Sequence, residues 1–94
     1  MNDVDRVIHE PARLTIVALL SGAKEVDFLF LLRETGLTKG NLSSHLVKLE
    51  ESSYIEIDKT FRGKIPLTLV RLTAKGRSAL QAYRKTMNGL LRKL

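Results

Sequence analysis

Three residues, Gly36-Leu37-Thr38, separate two apolar helical patterns, and that gap constrains the fold more than any other feature of the chain. The first pattern, FLFLLRET, has few polar positions and reads as a central buried helix. Asp27 before it suits an N-cap, its carboxylate accepting from orphan backbone N–H groups. Gly36 after it is the usual left-handed terminator. The second pattern, KGNLSSHLVKLEES, sets Leu42, Leu46 and Leu49 on one seam. Thr38 is its natural cap, and Leu37 can close on Leu42 as a hydrophobic staple. So short a turn leaves no room for a strand or a crossover. The two helices must share one core as a helix-turn-helix.

The flanking segments complete the layout. Pro11 suits the first turn of a helix through PARLTIVALLSGA, with Leu14, Val17, Ala18 and Leu20 at helical spacing and Ser21-Gly22 at its end. The preceding NDVDRVIHE is expected to form a short extra helix through Val4, Val7 and Ile8, and Val26 reads as one short strand. In YIEIDKTFRGKIPLTLVRL, Ile55 and Ile57 alternate with Glu56 and Asp58, the period of a half-buried strand. Arg62-Gly63-Lys64 turns the chain, and Thr68, Val70 and Leu72 alternate with Leu67, Leu69 and Arg71 on the return. Pro66 belongs near a strand start or on an edge, because it cannot donate to a ladder. Thr73 caps a last helix whose stripe runs through Leu80, Tyr83, Met87, Leu90, Leu91 and Leu94. The expected class is mainly α with a small β-hairpin: a winged helix-turn-helix with a three-helix core, a wing and a long C-terminal helix. One domain spans residues 1–94, with a polar-faced helix over about 38–52, a wing over about 54–72 and the last helix over about 74–94. Asn88-Gly89 is where that last helix would stop early.

Opposite the leucine seam of residues 38–48 lie Lys39, Gly40, Asn41, Ser43, Ser44 and Lys48, with no carboxylate before Glu50. Ordinary solvated helix faces mix Glu with Lys. A glutamate in the first turn would favour the helix dipole but repel a polyanion, so its absence is informative. Charge along the whole chain points the same way. Residues 1–36 carry six acids and four bases, residues 37–94 four acids and twelve bases, and no acid follows Asp58. A field this lopsided favours nucleic acid. The major groove of B-DNA, about 12 Å wide, admits one helix whose first residues contact base edges. There Asn41 can pair bidentately with adenine, Lys39 and Lys48 can reach guanine or phosphate, and Ser43 and Ser44 can serve either. Gly40 permits close approach. Arg62 and Lys64 give the hairpin a basic tip.

Other chemistry finds little support. Cysteine is absent, which removes disulfides, thiolate catalysis and cysteine-based metal sites. His9 and His45 are the only histidines, and no metal cluster or cofactor is expected. No nucleophile stands at sensible spacing from a base, so the chain does not read as an enzyme. Five aromatics, mostly at apolar positions, make no stacking platform for single strands. No apolar run approaches the ~20 residues of a membrane span, and the acidic start is unlike a signal peptide, so the expected location is the cytoplasm.

GLTKGNLSSHLVKLEESSYIEI followed by FRGKIPLTLVRLTAKGRSAL resembles the MarR/ArsR-type winged-helix transcriptional regulators, most nearly the small single-domain ones. The resemblance covers about residues 11–85 and rests on GLTKGNLSSHLVKLE and on LTAKG at the start of the last helix. It implies a homodimeric DNA-binding repressor or activator whose wing grips the minor groove or nearby backbone. Its base-reading positions would be Thr38, Lys39, Gly40, Asn41, Ser43 and Ser44, with wing contacts from Arg62 and Lys64. Three departures stand out: Ser52-Ser53 where relatives often have Gly, Ser44 where Arg is common, and Leu67 where many have Arg. A left-handed serine at the first would cost about 1 kcal/mol. The dimer is expected through Met87, Leu90, Leu91 and Leu94, with Val4, Val7 and Ile8 alongside, since a 21-residue terminal helix overruns so small a core. A pocket between protomers leaves a small-molecule effector open. The alternative to the regulator is a winged-helix protein-interaction module without specific DNA binding, for which Val47 is the one apolar candidate on the exposed helix face.

Overall fold

The computed structural model describes residues 4–94, and its elements follow the expected order. They are α1 (Pro11–Ser21), β1 (Val26–Asp27), α2 (Phe28–Thr35), α3 (Lys39–Glu51), β2 (Ile55–Arg62), β3 (Ile65–Leu72) and α4 (Ala74–Leu91). Local chemistry sets most boundaries. Asp27 Oδ1 accepts the Phe30 N–H at 2.7 Å and Thr38 Oγ1 the Asn41 N–H at 3.1 Å. Thr73 Oγ1 accepts the Gly76 N–H at 3.0 Å. Gly36 ends α2 in left-handed geometry, φ 70°. A sheet of order β1-β3-β2 closes one side of the helical core. Leu31 of α2, Leu42, Leu46 and Leu49 of α3, and Ile16, Val17 and Leu20 of α1 meet Ile55, Val70 and Leu72 of the sheet in one cluster.

Two expectations require correction. Over residues 4–10 the N-terminal segment forms one turn, not a helix, and Asn2 and Asp3 of the expected helix lie outside the described residues. Asp5 Oδ1 accepts the N–H groups of Val7 and Ile8, and the chain then straightens because Glu10 precedes proline. Glu10 stands extended at φ −151°, ψ 130°, and its carboxylate caps α1 by accepting the Arg13 N–H at 2.7 Å. That bond holds the Glu10 carboxyl below the usual carboxylate range. Ile8 is wholly buried in the monomer's own interior and is unavailable to a second copy, and Val7 packs partly against the same core. The second correction concerns α4. It runs unbroken through Asn88-Gly89, but ends at Leu91 rather than at residue 94.

The molecule is elongated. Its radius of gyration is 14.2 Å and its longest dimension 53 Å. A compact domain of this length would have a radius near 12–13 Å. β1 pairs only with Leu69 and Val70, so the outer part of the β2–β3 hairpin is a free two-stranded arm. Pro66 sits in that arm opposite Phe61, where β3 has no neighbour on its other side.

Candidate nucleic-acid interface

At 3.6 residues per turn, Gly40, Ser44, Val47 and Glu51 lie opposite the buried seam of α3, with Ser43 on one flank and Asn41 and Lys48 on the other. All seven are exposed, as are Thr38 and Lys39. The first turn contains no acid. Thr38 uses an oxygen lone pair for the cap and the Leu42 N–H returns to the Thr38 carbonyl, which leaves the Lys39 and Gly40 N–H groups outside the helical ladder. A phosphate at this end would meet those two donors and the positive end of the helix dipole. The acids Glu50 and Glu51 come only in the last turn, so the acid-free part of this face runs from Thr38 to Lys48.

The far end of α3 is closed by a Schellman motif. Ser53 N–H donates to Glu50 O at 2.9 Å and Tyr54 N–H to Leu49 O at 3.0 Å. Ser53 holds the left-handed position at φ 63°, and among the described residues it is the one non-glycine with positive φ. The sequence had marked this place as one where glycine is missing. Thr73 then ties α4 to the same corner, its N–H donating to Tyr54 O at 3.0 Å and its hydroxyl to Ser53 O at 2.6 Å. Gly76 packs so tightly on the Tyr54 carbonyl that a Cβ there would overlap it. This gives a physical reason for the glycine of LTAKG.

A groove of about 560 Å³ separates α3 from the hairpin, lined by Ser43, Val47, Glu50, Ile57, Lys59 and Thr68 among others. Strand alternation puts Lys59 on the same face as Ile57 and therefore toward α3. Arg62, three residues on, lies on the opposite face of the arm, and Lys64 sits in the turn beside Gly63. Sequence reading nominated Arg62 and Lys64 and passed over Lys59. The period-2 pattern carried that signal, but only the packing of α3 reveals which face looks inward. Arg71, on the outer sheet face, is engaged by Glu25 at 3.5 Å and Glu56 at 3.7 Å.

On the other flank of α3 the sequence pointed to Lys48 but not to Arg6 or Arg13. Arg6, Arg13 and Lys48 converge there on a cleft of about 290 Å³ that also includes Glu51. Arg13 is held in place: its Nε donates to Val7 O at 2.6 Å and its Nη1 lies 3.1 Å from His45 Nδ1. A guanidinium can only donate, so His45 Nδ1 is the acceptor in this contact. His45 is thus a half-buried positioning group. Among the described residues no cluster of histidines and acids is suited to a metal. No helix of the described chain is long and apolar enough to cross a membrane.

At the dimer positions, Met87 and Leu90 are half-buried, Leu91 is 58% exposed and Leu94 99% exposed. Tyr83, earlier on the stripe, is buried and bonds its hydroxyl to His9 Nδ1 at 2.8 Å.

Comparison with known proteins fits this geometry. Residues 12–91 match the family model of a winged helix DNA-binding domain. The chain is 37% identical over 79 residues to an uncharacterized protein of Methanocaldococcus jannaschii, covering 83% of this chain and 85% of that protein. Among solved structures, a transcriptional regulator homologue from Pyrococcus horikoshii superposes with a TM-score of 0.89 at 24% identity, over 95% of this chain and 88% of that one. The transcriptional repressor BigR from Xylella fastidiosa superposes with a TM-score of 0.69 at 24% identity, over 90% and 80%. Members of the MarR and ArsR families share the fold at 16–18% identity.

Proposed function

The chain belongs to the winged helix DNA-binding family, and from that premise we propose that it is a sequence-specific transcriptional regulator that binds duplex DNA as a homodimer. One observation carries the reading: the outward face of α3 from Thr38 to Lys48 is exposed, acid-free and built mostly of small polar and cationic groups. In the proposed complex α3 enters the major groove. Asn41 reads adenine, Lys39 and Lys48 reach guanine or phosphate, Ser43 and Ser44 bond base edges or backbone, and Gly40 lets the helix close in. Thr38 retains its hydroxyl proton for a phosphate. Lys59, Arg62 and Lys64 of the arm, with Arg6 and Lys48 on the other flank, neutralise phosphates on both sides.

The same reading makes α4 the dimer contact, through Met87, Leu90, Leu91 and Leu94, with Val4 and the exposed part of Val7 at the margin. Two-fold pairing would set two α3 helices about 34 Å apart on a pseudo-palindrome. Selection from a random duplex pool, followed by titration at two salt concentrations, tests the function. A recovered consensus with two related half-sites is the expected outcome. Binding without sequence enrichment would reject specific recognition and favour the protein-interaction module. Sedimentation of the wild type and of a Leu90→Asp, Leu91→Asp variant tests the pairing. A dimer should become a monomer with much weaker binding, whereas a wild-type monomer at tens of micromolar would reject it.

A further inference from the structure

The tip of the arm is apolar where a wing that only touched phosphates would be polar. Phe61 and Ile65 are each 68% exposed. Phe61 lies directly opposite Pro66, also exposed, and the two share one face of the hairpin. That face is the one bearing Lys59 and Thr68, which line the groove toward α3. At 3.3–3.4 Å per strand residue, Phe61 stands about 7 Å beyond Lys59, on the recognition side of the arm. Lys59 shares its face, Arg62 and Lys64 follow on the other face and in the turn, and no acid occurs anywhere from Lys59 to the C-terminus. The aromatic ring is therefore presented in a cationic setting that suits a polyanion and is hostile to a basic or purely apolar partner.

We infer that Phe61, backed by Pro66, is a wedge that enters the DNA minor groove and partly unstacks a base step, bending the site toward α3. Proteins that insert apolar side chains this way kink the duplex by about 20–90°. Flexible pyrimidine–purine steps yield to it most readily, so the wedge adds sequence preference at a position where no base edge is bonded. Pro66 suits the role because it stiffens the strand behind the ring and donates no N–H that would need a partner. The inference rests on the duplex-DNA reading.

The test uses the full chain and a duplex recovered by selection, carrying a donor and an acceptor dye at its ends. Wild type, Phe61→Leu and Phe61→Thr are compared. Threonine keeps a strand-forming residue in the arm, and leucine keeps an apolar wedge. Wild type and Phe61→Leu should shorten the end-to-end distance. Phe61→Thr should bind roughly tenfold weaker, leave the duplex straight and keep the wild-type salt slope, since no charge has changed. A straight duplex under wild type, or wild-type bending and affinity from Phe61→Thr, overturns the wedge while leaving duplex binding intact. A Phe61→Thr variant that sediments as a smaller species than wild type overturns it too, and makes the tip a contact between copies. Absence of salt-dependent binding by wild type itself rejects the underlying DNA reading instead.

Discussion

Replacing Gly76 with alanine puts a methyl carbon 3.0 Å from the Tyr54 carbonyl carbon and 3.0 Å from Leu72 Cδ2, and closer still to the Tyr54 carbonyl oxygen. The obstacle is backbone, which has no rotamer to escape into. The corner must open by about 1 Å to restore van der Waals separation. Opening it stretches two bonds that hold α4 to the end of α3, Thr73 N–H to Tyr54 O and Thr73 hydroxyl to Ser53 O. Overpacking of this kind costs about 1–3 kcal/mol. Each weakened hydrogen bond adds about 0.5–1.5 kcal/mol. Against this, alanine is better than glycine in a helix by about 1 kcal/mol. The net expectation is a loss of about 1–5 kcal/mol, a large share of a small domain's stability. Urea titration followed by circular dichroism measures it, provided protein concentration is matched, because self-association would add to the apparent stability. A loss under 1 kcal/mol, or a gain, would mean that the corner is looser than its geometry and that Gly76 is not needed for close approach.

Ser53→Gly should do the reverse, stabilising the fold by about 1 kcal/mol, since glycine adopts the left-handed backbone without the Cβ penalty; unchanged urea midpoints would remove strain as a description of that residue. Asn41→Ala should cost about 1–3 kcal/mol on a selected duplex and flatten preference at one base pair. Equal losses on selected and random duplexes would make Asn41 a backbone contact. Tyr54 donates to Asp5, and that hydrogen bond, with burial, pushes its pKa up to about 12 from an ordinary value near 10. The folded state therefore holds the phenolic proton more tightly than the unfolded one. The resulting stability is complete below pH 10 and is lost as pH rises from about 10 to 12. Tyr54→Phe should lose the bond at neutral pH and lack this alkaline decline, and an identical pH profile in both proteins would refute the linkage.

The features that were legible in the sequence are those whose chemistry is local. Asp27, Thr38 and Thr73 cap the helices they precede, and Gly36 ends α2, because each acts on backbone three or four residues away. The seam of Leu42, Leu46 and Leu49 needed only the helical period. What escaped depends on distant partners. Ile8 looked like an interface residue, but its segment is pinned by Asp5 to Tyr54, 49 residues on, and by His9 to Tyr83, 74 residues on. Neither pairing has a sequence signature. Lys59 had the right parity yet no mark of which sheet face meets α3. The need for Gly76 was not legible either, because a close approach of backbone is invisible until Tyr54 is in place. The candidate face on α3 was legible since composition and period sufficed, whereas its two flanks, Lys59 on one side and Arg6 with Arg13 on the other, required the assembled fold.

The two ends of α4 are held very differently, and that difference bears on how a regulator of this kind would space its half-sites. The first turns are fixed to α3 through Thr73, Tyr54 and Gly76, and Arg77 reaches the carbonyls of Ser21 and Ala23 beyond the end of α1 at 3.4 and 3.3 Å. Tyr83 adds the bond to His9. After Met87 the exposed apolar residues begin. A helix secured over its first three turns and free over its last acts as a rigid lever, because bending an intact α-helix requires breaking its own ladder. Under the proposed pairing, the angle between the lever and α3 is then set by the Ser53–Tyr54–Thr73 corner together with the Arg77 and Tyr83 bonds to the α1 side. The joint itself contains the left-handed Ser53, so a Ser53→Gly variant changes the backbone freedom of the lever's attachment without touching α4 or the face of α3.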